Sequence, residues 1–389
     1  MATFGKTLAL LACILLVGSG CSQSAGTVGT KTPTGEPTQS RAAQVTPTPG
    51  LARALCTVPT PASWQSLIQH ASPRLPSGSR VIPFATGADP SVFFAEFYSS
   101  TWSGVVSISV SSSEIRRIAV FADPQNDQAY AGGFDGRWLV WIEQLSLDDS
   151  NDWQILAWDS ATNQAFQVQA APRANGATVS GPIVEPVVSN GKAAWVQANT
   201  AGVGEVHEFS LASRQDQVVG SQATTPLLFW GSDLVWMHLD VPGQSGHLEM
   251  LDTRSGLPLS VPKPLASVTH LAFLAVSDNL VAWTDGKSIW AYRPGQDSAS
   301  LVNAIPQDSA NFLGIAGDLI TWDGSSDPYA LDMRSSSVTK LTPKYGGRFA
   351  SGNSLLIYWP VSDTKTASGQ FVVADVDASN LPPLPSCSA

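Results

Sequence analysis

The sequence predicts an all-β protein, a β-propeller of four-stranded antiparallel blades, with seven blades favoured and six as the alternative. Three observations carry this reading. A turn of Gly, Asn, Asp or Ser leads repeatedly into a strand ending on an aromatic residue. The copies recur at a propeller-like interval, and none of the repeating units shows the 3.6-residue periodicity of helical repeats. The clearest copies are Asp135-Gly136-Arg137-Trp138-Leu139-Val140-Trp141, Ser189-Asn190-Gly191-Lys192-Ala193-Ala194-Trp195 and Gly231-Ser232-Asp233-Leu234-Val235-Trp236. Ser277 to Trp283, Gly317 to Trp322 and a looser Gly352 to Tyr358 follow. Such turns need residues that tolerate positive φ, and the strands need side chains that pack between sheets.

With a seventh, degenerate copy centred near Phe94 in the strand Ser91 to Tyr98, the aromatic anchors fall at 94, 141, 195, 236, 283, 322 and 358. Their mean spacing of 44 residues matches the propeller period. About fifteen residues beyond an anchor comes another strand, such as Ile155 to Asp159, Leu248 to Asp252 or Tyr329 to Asp332. A polar turn and a short edge strand, such as Val338 to Leu341, complete each unit.

The chain has 389 residues, 43% apolar and only 13% charged, with a formal charge of -10. That balance excludes a basic nucleic-acid binder and a highly charged disordered chain. Residues 1–20 read as a secretory signal: Lys6 precedes an apolar run from Leu8 to Val17, too short for a bilayer core of about 30 Å. Val17-Gly18-Ser19-Gly20-Cys21 resembles the bacterial lipobox, which implies cleavage before Cys21 and its lipidation. Residues 21–50 form a Thr/Pro/Gly/Ser-rich tether. Ser22 to Gly50 holds seven Thr, four Pro, four Gly and three Ser, with only Val28 and Val45 as larger apolar groups, too little to offset ordering entropy.

The propeller is assigned to residues 51–389, with a short helix near 61–71 that places Trp64, Leu67 and Ile68 on one face. Cys13 leaves with the signal, so Cys56 and Cys387 are the two thiols of the folded region. In an oxidising compartment they are expected to form a disulfide joining the ends of the fold, against the alternative of two unpaired thiols. The last repeat runs into Leu381-Pro382-Pro383-Leu384-Pro385 and lacks a good outer strand. The segment near Leu51 to Val58 is expected to supply it, or else the strand near Arg80 to Ala85 closes a six-bladed ring.

The third-strand Asp, the polar turn and the run from Leu331 to Thr342 resemble the repeat of TolB-like, WD40-like bacterial propellers over roughly residues 130 to 376. The resemblance implies a fold. It assigns no functional residue, because the shared positions are structural.

Catalytic signatures are few. Gly243-Gln244-Ser245-Gly246-His247 is the nearest approach to a nucleophile elbow and lacks its hydrolase context. Of the five histidines, His238 and His247 flank one loop and are placed to meet across a hairpin, but two imidazoles alone make a poor metal site. The loop Asp148-Asp149-Ser150-Asn151-Asp152 carries oxygen ligands without the glycine and distant Glu of an EF-hand, and reads as a solvated loop. No catalytic residue, metal or cofactor is assigned. The recurring tryptophans read as core; Trp102 falls in a hairpin loop outside their register and is the candidate binding aromatic.

The expectation is a lipid-anchored, extracytoplasmic module that binds or scaffolds a protein, peptide or envelope glycan and no nucleic acid. The alternative is a carbohydrate-active hydrolase or lyase with carboxylates lining the channel.

Overall fold

The computed structural model describes residues 55–87, 90–240, 246–286, 288–297, 299–304, 311–324, 327–342, 346–360 and 371–386. The signal segment, Cys21, the tether and Cys387 lie outside the described residues. Seven antiparallel sheets follow one another along the chain as blades 1 to 7, over residues 80–120, 128–170, 187–221, 223–259, 273–304, 311–340 and 347–377. Each starts with an inner strand and meanders outward in sequence order. The seven inner strands pack against one another in order, and Arg80–Thr86 of blade 1 also meets Gly347–Ser351 of blade 7, which closes a seven-bladed ring.

The anchors explain why the ring holds. Phe94, Trp141, Trp195, Trp236, Trp283, Trp322 and Tyr358 all lie in the second strand of their blades. Their alternating neighbours point to opposite faces of each sheet, so both faces are apolar and need a neighbouring blade. Leu139 and Trp141 pack toward blade 1 with Phe94, whereas Val140 and Ile142 pack toward blade 3 with Trp195. At the turn before Trp195, Asn190 and Gly191 both take left-handed backbone, with φ of 52° and 75°, the geometry of a two-residue hairpin loop.

Ring closure differs from the expectation. Cys56–Thr57 pairs in parallel with the outer strand Ser337–Lys340, as a fifth strand on blade 6, and does not complete blade 7. Arg80–Thr86 is the inner strand of a full blade, so the six-bladed alternative falls away. Blade 7 has three strands among the described residues. The helix Ala62–His70 covers its outer edge instead: the Asp375 N–H donates to the Ala71 carbonyl at 3.2 Å. Trp64, fully buried, packs between blades 6 and 7 and donates from Nε1 to the Pro382 carbonyl at 2.8 Å. A helix can do this because the prolines at 382, 383 and 385 lack the N–H groups a fourth strand would need. Among the described residues no helix is long and apolar enough to cross a membrane.

Candidate functional site

Because every blade repeats the same up-and-down order, all inner strands begin at one mouth of the ring. Strand register places a set of charged and aromatic residues in this first layer. Arg80 opens its inner strand opposite Tyr98, Ile82 faces Glu96, Ala129 faces Glu143, Asn311 faces Asp323, and Gly347 faces Tyr358 beside Arg348.

Most of the charge here is buried in the walls. The Glu96 carboxylate oxygen Oε1 accepts from the Ala129 N–H at 2.6 Å, tying blade 1 to blade 2. Burial pushes its carboxyl up to about 8, against the lowering effects of that bond, Arg80 and Tyr98. The Arg80 guanidinium lies 4.4 Å from the centre of the Tyr98 ring. Glu143, also raised by burial, accepts from Gln154 Nε2 at 2.7 Å. On the other side of the ring seam, Arg348 and Asp323 approach to 3.6 Å, and burial raises the Asp323 carboxyl to about 6 although Arg348 lowers it. Gly314 leaves room for this pair, since a Cβ there would lie 2.7 Å from Arg348 Nη1.

Beside these walls two aromatic residues are turned out of the sheets. The register of the inner strand of blade 2 shifts between Ala129 and Ala131, leaving Tyr130 as the extra residue of a bulge and 37% exposed. In blade 6 the shift falls between Asn311 and Gly314 and releases Phe312, which is 53% exposed at a φ of 51°. A bulge re-aims side chains, and left-handed backbone at a non-glycine aromatic residue costs about 1–3 kcal/mol. Phe312 is joined by Phe273, which opens the inner strand of blade 5, at 5.4 Å between ring centroids. The Glu185 charge acts on Tyr130, and desolvation raises the Glu185 carboxyl itself; Ile183, two positions earlier in the chain, is 54% exposed. Burial, aided by the Glu185 charge, pushes the Tyr130 hydroxyl up to about 12. Exposed apolar side chains and the Glu185 carboxyl therefore share this mouth.

The residues singled out in the sequence stand elsewhere. Trp102 is half-buried; it stacks on Phe97 at 4.7 Å and carries the Arg117 guanidinium 4.2 Å from its ring centre. Both contacts lie within blade 1. His238 and His247 do meet, directly paired across the hairpin with ring centroids 5.0 Å apart. Carboxylates accompany them, contrary to the sequence reading: Asp240 lies 2.9 Å from His247 Nδ1 and Glu249 lies 3.6 Å from His238 Nδ1. No group of three or more His, Cys, Asp or Glu able to hold a metal occurs among the described residues. In the acidic loop, Asp149 accepts from the Thr178 hydroxyl at 2.7 Å and Asp152 pairs with Arg173 at 2.8 Å. These carboxylates serve to tie down the following hairpin. Tyr130 and Phe312 escaped the sequence reading because bulges break the strand period, although Gly132-Gly133 and Gly314 within those strands are a usable signal.

No family model matches the chain, and no curated protein matches it. Solved structures do. The propeller domain of the Trilobed protease from Pyrococcus furiosus, described as having an open velcro topology, is 9% identical; the match covers 78% of this chain and 95% of that one at a TM-score of 0.52. A structure from a study of two prolyl endopeptidases is 14% identical over 83% of this chain, at a TM-score of 0.52. This chain spans half of that one's length. The oligogalacturonate lyase from Vibrio parahaemolyticus is 8% identical, covering 78% of this chain and 92% of the other at a TM-score of 0.50. Identities this low establish the fold alone.

Proposed function

We propose that this propeller is a lipid-anchored, extracytoplasmic binding or scaffolding module that receives a protein, peptide or envelope glycan at the mouth where its inner strands begin. The observation supporting a binding role is the pair of bulges that turn Tyr130 and Phe312 into solvent there, Phe312 in strained backbone. Exposed aromatics with little rotamer freedom are the side chains that dominate recognition surfaces. The buried carboxyls Glu96 and Glu143 are 3% and 5% exposed and already hydrogen-bonded, Glu96 to the next blade and Glu143 within its own, which favours a structural role for them over acid and base chemistry on a sugar.

The test is cross-linking and pull-down from detergent-extracted envelopes, with a glycan array in parallel, using Tyr130→Ala/Phe312→Ala beside the wild type. Each change is expected to weaken capture by about tenfold or more, the scale of a hot-spot residue, without lowering the melting temperature. Retained capture by the double variant would refute this mouth as the binding surface. Depolymerisation of an array glycan, lost on Glu96→Gln or Glu143→Gln, would support the hydrolase or lyase alternative.

A further inference from the structure

The face opposite that mouth carries a second recognition feature. Between blades 4 and 5 lies a cavity of about 360 Å³ walled by Trp230, Pro262, Pro264, Tyr292 and Pro294, with Lys263 and Asp297 paired at its rim at 3.3 Å. Trp230 ends the inner strand of blade 4 and Tyr292 ends the third strand of blade 5, so both stand at the lower end of the ring. Tyr292 is 3% exposed, and its hydroxyl has no hydrogen-bond partner among the described residues. A wall of aromatic rings and prolines has the chemistry that receives a polyproline II segment, whose proline rings stack on the aromatics.

The chain itself contains such a segment, and its path leads to this face. Cys56–Thr57 runs parallel to Ser337–Lys340, which climbs from the lower turns toward the upper mouth. The residues before Cys56 therefore lead downward. Leu55 packs in the cluster between blades 5 and 6, one blade interface from the cavity. Thr46-Pro47-Thr48-Pro49 lies six to nine residues before Leu55. At about 3.1 Å per residue in polyproline II it lies within roughly 19–28 Å of chain from Leu55. Because the segment is covalently attached, its effective concentration is in the millimolar range, enough for a short weak motif to stay bound.

We infer that the cavity between blades 4 and 5 holds the chain's own Thr46-Pro47-Thr48-Pro49, so that the tether folds back under the lower face. Docking there turns the Tyr130 and Phe312 mouth away from the point where the tether departs. The inference is independent of what binds at that mouth.

The test uses the full mature chain with the photoreactive residue p-benzoylphenylalanine in place of Gln296 at the cavity rim. Irradiation is expected to give an intramolecular cross-link to the tryptic peptide 42–53, on protein of monomer mass. Replacing Pro47 and Pro49 with Gly, which leaves the propeller untouched, is expected to cut the yield about fivefold or more, the effect of losing roughly 1 kcal/mol. Trp230→Ala is expected to do the same. Cross-links to a second copy or to another envelope protein, a yield no higher than from a site on the upper face, or a yield indifferent to Pro47 and Pro49 would overturn the proposal.

Discussion

Glu96 is a carboxyl that folding keeps protonated at neutral pH. Its ordinary value is 4.5 and burial raises it to about 8, so between these the unfolded chain has released a proton that the folded chain retains. Where the folded state binds more protons, stability falls as pH rises. Glu96 therefore contributes full stability below about pH 4.5 and loses it progressively as pH climbs through 8. A Glu96→Gln variant keeps an acceptor for the Ala129 N–H and cannot ionise. Its melting temperature is expected to fall less than that of the wild type between pH 5 and 8, measured by calorimetry; parallel profiles would refute this. Arg348 poses the reverse problem. Removing its guanidinium strands the Asp323 carboxylate in the wall. Arg348→Met is expected to cost about 3–5 kcal/mol in denaturant unfolding, and adding Asp323→Asn to recover more than half of it. Simple additivity of the two changes would show that they act independently.

At the scale of elements, the join between the chain's ends rests on different parts from an ordinary fourth strand. The helix Ala62–His70 caps the three-stranded blade 7, and Cys56–Thr57 reinforces blade 6. Ser337 bridges the join. Its hydroxyl donates to the Pro385 carbonyl at 2.6 Å and lies 3.8 Å from Cys56 Sγ, bringing the C-terminal segment to within two residues of Cys387. That proximity supports the proposed bond between Cys56 and Cys387. Mass spectrometry of non-reduced peptides is expected to find the two linked, and reduction to cost about 2–4 kcal/mol, the usual contribution of a disulfide. Labelling of both as free thiols would dismiss the bond.

At the scale of the whole molecule, seven blades with apolar faces stabilise one another and leave both mouths to vary. The proposed lipid anchor at Cys21 belongs at this scale, because it would tie the whole ring to a membrane. Cys21→Ala is expected to move the protein from the membrane to the soluble fraction, assayed by fractionation; unchanged membrane retention would exclude lipidation as the anchor.

The blade count and the core were legible because a period of turns and aromatic-ended strands is a local property: Asn190-Gly191 specifies its own hairpin and Trp195 its own burial. The buried charge contacts were decided only when separate blades met, and the engaged ring of Trp102 and the bulged Tyr130 and Phe312 only when strands paired within a blade. Arg348 and Asp323 come from different blades, and so do Glu96 and Ala129. Trp102, in the loop before the third strand, and Arg117, on the fourth, stand in one blade fifteen positions apart. Charge burial and side-chain exposure depend on what packs across from a residue. That information lies in the register of the sheets and the closure of the ring.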